Sequence, residues 1–119
     1  MCSTVFIIED DVDTREMLAK FLELEGYRVE LASNGRQALD RFRSGVDACV
    51  ILLDLMMPVM DGWEFRQHQA KDDRLKVIPT IVVSAAGRDR MKQIPADAYL
   101  SKPVDMDELL SRVSQFCSV

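Results

Sequence analysis

The chain has 119 residues, 48% of them apolar and 29% charged, with five Gly and four Pro; this is the size and make-up of one globular domain and excludes disordered, collagen-like and low-complexity classes. Its net charge of −5 is accompanied by basic residues scattered at Arg15, Lys20, Arg28, Arg36 and Arg41 rather than drawn into a stripe, which argues against nucleic acid as a direct partner. The longest apolar run, Ala48 to Leu53, is far below the roughly 18 residues of a membrane span, and no basic residue precedes Val5, so neither membrane insertion nor a secretory leader is expected and the cytoplasm is the expected location.

Thr4-Val5-Phe6-Ile7-Ile8 is short, β-branched and unbroken, the pattern of a strand covered on both faces. Asp13-Thr14-Arg15-Glu16 then fits a capping box, with Met17, Leu18, Phe21, Leu22 and Leu24 at helical spacing and Gly26 as the stop. Val29 and Leu31 alternate with polar neighbours, suiting a sheet edge, and Asn34-Gly35 marks a turn before a short helix carrying Ala38, Leu39 and Phe42 and ending near Gly45.

Ala48 to Leu53 is the most apolar strand and is expected at the sheet centre, closed by Asp54. After the loop Leu55 to Asp61, a third helix is expected from about Gly62 to Ala70, followed by the strand Pro79 to Val83 leading into Ser84. A short fourth helix falls within Gly87 to Ile94, ending by Gln93 because Pro95 disfavours helix at the residue before it. Ala98 to Ser101 is a brief fifth strand, and Asp105-Met106-Asp107-Glu108 opens a last helix with Met106, Leu109, Leu110, Val113 and Phe116 inward. Five alternating strand and helix units imply an α/β fold with a parallel sheet.

Three cysteines (Cys2, Cys49, Cys117), odd in number and without C-x-x-C spacing, argue against a disulfide framework or a zinc site, and Cys49 reads as a core thiol. His68, beside Gln67 and Gln69, reads as a surface residue, and Trp63 and the Met56, Met57 and Met60 group read first as packing. The local cluster Arg88, Arg90 and Lys92 reads as a solvated helix face.

Ligands of open parallel sheets bind outside the carboxyl ends of the strands. Those ends carry Glu9-Asp10-Asp11, Asp54, Ser84 and, after the fifth strand, Lys102. Any one of these alone reads as a solvated group, a cap or a surface lysine. Together, the carboxylates repel one another and need compensation, which Lys102 and a hard, oxygen-seeking Mg²⁺ with retained waters can supply. In that setting Asp54 would stay ionised and act as an oxygen nucleophile towards phosphorus. Asp10 is then the expected direct metal ligand, Glu9 a ligand through water, and Asp11 either a further ligand or a helix cap. The Ser84 hydroxyl would donate to the attached phosphoryl group.

These stretches resemble the receiver domains of two-component response regulators. Val5 to Asp11 is similar to the acidic first-strand motif, Leu52-Leu53-Asp54-Leu55-Met56-Met57-Pro58-Val59-Met60-Asp61-Gly62 to the phosphorylation-site motif, and Ile81 to Ala86 and Ala98 to Pro103 to the switch and lysine motifs. The resemblance covers the whole chain and implies one receiver domain over 1–119 with a flavodoxin-like (βα)5 fold and strand order 2-1-3-4-5. It further implies phosphorylation of Asp54 by a sensor histidine kinase or histidine phosphotransfer protein, and a downstream protein target. Mg²⁺ would be held by Asp10, Asp54 and the Met56 carbonyl with Glu9 helping. Lys102 would meet the phosphoryl group and form a cis bond to Pro103, and Ser84 and Tyr99 would make the switch pair.

The stretch from Ser84 to Lys102 is eighteen positions, shorter than the family's usual, with Pro95 where a Gly is common. That places in question the family's frequent use of the face formed by the fourth helix, fifth strand and fifth helix. Two other functions share parts of this pattern. A haloacid-dehalogenase-like Mg²⁺ phosphatase, an enzyme proper, wants a second Asp two positions after the nucleophile, where Met56 stands. A pseudo-receiver binding module would lack one of Asp10, Asp54 or Lys102, and all three are present.

Overall fold

A computed structural model of the protein describes residues 2–57, 59–85 and 87–118. Pro58 and Ala86 of the motifs, with Met1, Val119 and the side chain of Arg88, lie outside the described residues. The elements are β1 (Thr4–Ile8), α1 (Val12–Leu24), β2 (Arg28–Ala32), α2 (Gly35–Arg43), β3 (Val50–Leu53), α3 (Gly62–Ala70), β4 (Thr80–Ser84), α4 (Arg88–Met91), β5 (Ala98–Ser101) and α5 (Met106–Ser114). All four strand pairings are parallel, as the alternation of elements implied, and the sheet order is β2-β1-β3-β4-β5, as the resemblance implied.

Alternation along the strands divides the core into two layers. Val5, Ile7, Val50 and Leu52 face α1 and α5 through Leu18, Leu22, Leu109 and Val113. Phe6, Ile8, Ile51 and Leu53 face α2 and α3 through Ala38, Leu39, Phe42 and Phe65. Phe6 and Phe42 stack with ring centroids 4.5 Å apart. Every residue of β1 after Thr4 and every residue of β3 is buried, which explains why both read as unbroken apolar runs. No helix among the described residues is long and apolar enough to cross a membrane.

Several local expectations change. The N-cap of α1 is Asp11, whose side chain accepts from Thr14 N, whereas Asp13 lies inside the first turn. Met17 and Leu24 are 50% and 78% exposed, and Ala19 takes the inward place beside Leu18 and Leu22. Asn34 is the N-cap of α2 rather than part of a free turn, with Gly35 as the first helical residue. β3 begins at Val50, two residues later than the apolar run. The bounds of α3 agree with expectation, and α4 is only four residues long. Gly26 and Gly45, at φ +97° and +109°, end α1 and α2 in the left-handed region that glycine adopts without penalty.

The cysteine reading is overturned. Cys2 and Cys49 are joined in a disulfide across 47 positions, and Cys117 is the free, buried thiol. An odd count leaves one thiol over but does not forbid a pair. Parallel pairing of β1 with β3 brings the residues ahead of both strands together, with Cys49 N donating to Thr4 O at 2.9 Å, a proximity that spacing in the sequence cannot show.

Candidate metal and phosphoryl site

In the order β2-β1-β3-β4-β5 the connections leave β1 and β3 toward opposite edges, so a crevice opens above the carboxyl ends of these two central strands. The sheet ladder continues one residue past each strand: Glu9 N donates to Ala32 O at 3.1 Å and Asp54 N to Ile8 O at 3.0 Å. This fixes the backbone from which both carboxylates project. Glu9 and Asp54 are 2% and 5% exposed, while Asp10 faces solvent. Carboxylate oxygens of Glu9, Asp10 and Asp54 lie within 4.8 Å of one another.

Lys102 enters from the loop that follows β5, at the same carboxyl end of the parallel sheet. Its backbone N–H donates to Ser84 O at 3.1 Å and its peptide bond to Pro103 is cis. The ammonium Nζ lies 2.5 Å from Glu9 Oε1 and 3.3 Å from Asp54 Oδ2. The remaining oxygens are held by backbone: Met56 N donates to Asp54 Oδ1 at 3.1 Å and Asp11 N to Glu9 Oε2 at 3.2 Å. Arg15, which the sequence reading passed over, donates to Glu9 O at 2.9 Å and to Asp10 O at 3.5 Å, anchoring the loop from the first turns of α1.

Burial pushes the Glu9 carboxyl up to about 7, and the neighbouring Asp54 adds to the rise while Lys102 opposes it. Burial works against the Lys102 ammonium, but the contacts with Glu9 and Asp54 outweigh it and its pKa is raised. One ammonium against three carboxylates leaves the cluster short of positive charge. An all-oxygen donor set with two buried carboxylates and one open to solvent fits a hard divalent cation that keeps waters, as Mg²⁺ does. Asp11 is outside this cluster: hydrogen bonds from Thr14 lower its pKa, and it serves as the cap.

Gly62 is what lets the loop return so close to the site. A Cβ there would stand 2.7 Å from Leu55 Cα and 2.8 Å from Asp54 O. Val59, in the same loop, has φ +72°, a conformation uncommon for a β-branched residue.

Ser84 is the buried last residue of β4, two positions beyond the final β3–β4 pair of Leu53 with Val82. Tyr99 stands apart from the carboxylates. Its hydroxyl donates to Ile94 O and accepts from Ala96 N at 3.0 Å, and its half-buried ring packs with Leu55, Val82, Met91 and Ile94. Leu55, adjacent to Asp54, is the shared contact between the two regions.

Trp63 joins that same cluster and lies under Arg90 at 5.1 Å, so packing is its role here. His68 is exposed, Met57 and Met60 are buried and Met56 is exposed. Lys92 is exposed but lies in the turn past α4, and Arg90 covers the Trp63 ring, so these two do not form the solvated helix face that the sequence suggests.

The model of the response regulator receiver domain family matches residues 5–114. The chain is 38% identical to response regulator Rre1 of Synechocystis sp. over 111 residues, which is 89% of this chain and 48% of that protein. It is 40% identical to response regulator MprA of Mycolicibacterium vanbaalenii over 116 residues, 92% of this chain and 48% of that protein. It therefore spans about half the length of these curated relatives. The crystal structure of response regulator TrrA from Thermotoga maritima, in complex with Mg²⁺ and BeF, is similar with a TM-score of 0.84 and 30% identity, covering 96% of this chain and 98% of that one.

Proposed function

Because the chain belongs to the response regulator receiver domain family and so serves phosphorylation-dependent two-component signalling, we propose that Asp54 is its phosphoacceptor and that residues 1–119 make up one receiver domain. The observation that carries this reading is the single ammonium of Lys102 bridging Glu9 and Asp54 from a different strand. Such convergence of charge from β1, β3 and β5 has no use in packing alone.

One carboxylate oxygen of Asp54 attacks the phosphorus of a phosphohistidine on a sensor histidine kinase or histidine phosphotransfer protein. The P–O bond forms as the P–N bond breaks, and the electron pair leaves on the imidazole nitrogen, which takes up a proton. Met56 N–H orients the Asp54 carboxylate through Oδ1, and Lys102 offsets the negative charge that the phosphoryl oxygens bring. Asp10, Asp54 and the Met56 carbonyl would hold Mg²⁺ directly, with Glu9 acting through water, and the bound ion supplies the positive charge that lets a phosphoryl group approach several carboxylates.

Ser84 donates its hydroxyl to the phosphoryl group, and Tyr99 exchanges its hold on the turn after α4 for an inward position, a population shift that alters the surface offered to a downstream protein. The domain assists its own phosphorylation and dephosphorylation without turning over an external substrate, and it works in the cytoplasm. Incubation with acetyl phosphate and Mg²⁺, followed by intact-mass measurement, tests the reading. One added phosphoryl group, whose addition EDTA prevents, is expected; an unchanged mass with Mg²⁺ contradicts it.

A further inference from the structure

The sulfurs at the far end of β1 and β3 have no part in phosphoryl chemistry, yet their surroundings are those of a reactive pair. Cys2 and Cys49 have Cα atoms 5.7 Å apart, a span that a disulfide accepts without moving the backbone. Cys2 is exposed and Cys49 is 8% exposed. Both line an open depression of about 710 Å³ shared with Asp47, Arg74, Val77 and Phe116, wide enough for a tripeptide thiol to reach the bond. We propose that Cys2–Cys49 is a thiol–disulfide exchange site that small thiols such as glutathione open and close while the domain stays folded.

The difference in exposure between the two residues sets the order of events, with the exposed Cys2 attacked first. A glutathione thiolate attacks Cys2 Sγ, the S–S bond breaks, and Cys49 leaves as a thiolate that takes up a proton. A second glutathione thiolate attacks the glutathione sulfur of the mixed disulfide, forming oxidised glutathione and releasing Cys2 as a thiolate. Two glutathione thiols are oxidised and one protein disulfide is reduced to two thiols; oxidised glutathione drives the reverse sequence.

Two further observations support the site. Cys117, the third sulfur, is buried, donates to Thr4 O at 3.5 Å, and is pushed by burial up to about 11, so it remains a thiol and does not compete for the pair. The segment ahead of β1 is also held by backbone: Ser118 N donates to Cys2 O at 3.0 Å and Arg28 N to Ser3 O at 2.9 Å. These bonds keep the segment docked once the sulfurs part.

The test equilibrates the full chain with reduced or oxidised glutathione, alkylates under denaturing conditions, and maps the products by mass. With oxidised glutathione, one alkyl group on Cys117 and a linked Cys2–Cys49 peptide are expected. With millimolar reduced glutathione, three alkyl groups are expected and the far-ultraviolet circular dichroism stays native. Closing a loop of this length should raise the melting temperature of the oxidised form by about 10 °C or more, a difference that Cys2→Ser removes. Three free thiols under oxidised glutathione, a bond that survives the reduced form, unfolding on reduction, or a Cys2→Ser variant that keeps the thermal difference would each overturn the proposal.

Discussion

Lys102 holds Glu9 more closely than it holds Asp54, with Nζ at 2.5 Å from the first and 3.3 Å from the second. The ammonium is therefore both a brace for a buried carboxylate and a competitor for any cation drawn to the cluster. Replacing it should move two properties in opposite directions. Lys102→Ala removes a like charge facing the metal and should tighten Mg²⁺ binding by about tenfold, or on the order of 1.4 kcal/mol. It should also slow phosphoryl uptake by roughly 10²-fold. A Mg²⁺ titration and a phosphorylation time course on the same variant check the pair; weaker binding together with unchanged uptake would show that Lys102 is only a structural partner.

Asp10 and Asp11 are neighbours with different tasks. Asp10→Ala should abolish Mg²⁺ binding and leave thermal stability equal or higher, since a repelling carboxylate is removed. Asp11→Ala should lower the melting temperature through loss of the α1 cap while retaining Mg²⁺ binding. Melting curves with and without Mg²⁺ separate the two, and a metal-binding loss in Asp11→Ala would place that residue in the cluster.

Tyr99 is expected to act through the turn that precedes β5. Tyr99→Phe loses the hydrogen bonds to Ile94 O and from Ala96 N, a cost of about 1–2 kcal/mol. Amide hydrogen exchange at 94–97 should accelerate while phosphorylation of Asp54 proceeds at its normal rate. Unchanged exchange there would show that the hydroxyl does not restrain the turn.

Gln69, fully buried on α3, donates its two Nε2 hydrogens to Leu75 O and Ile78 O, and its Oε1 accepts from Arg66 at 2.6 Å and from the Thr80 hydroxyl at 3.3 Å. Gln69→Leu would leave buried acceptors without donors at about 1–3 kcal/mol each. A stability loss of several kcal/mol in denaturant unfolding is expected, against less than about 0.5 kcal/mol for the exposed neighbour Gln67→Leu. Equal effects would remove any role for the network.

What could be read from the sequence follows from how each feature is encoded. The strands of the sheet centre were legible because burial on both faces demands an unbroken apolar run, and the strand-end places of Asp54 and Ser84 because polar residues end those runs. Gln69 was not legible: a polar residue among Gln67 and His68 looks solvated until the α3–β4 connection folds back over it. The cap of α1 moved from Asp13 to Asp11 because both fit the local pattern, and the extended backbone of Asp11, at φ −74° and ψ 117°, settles the choice. Arg15 and the Cys2–Cys49 pair depend on contacts made by other elements, which local spacing does not carry.

Phosphorylation at Asp54 and at no other side chain can be measured directly. After treatment with acetyl phosphate and Mg²⁺, the wild type should carry one phosphoryl group that hydroxylamine removes, and Asp54→Asn, with its fold retained by circular dichroism, should carry none. A phosphoryl group on Asp54→Asn, or one in the wild type that resists hydroxylamine, would contradict the assignment.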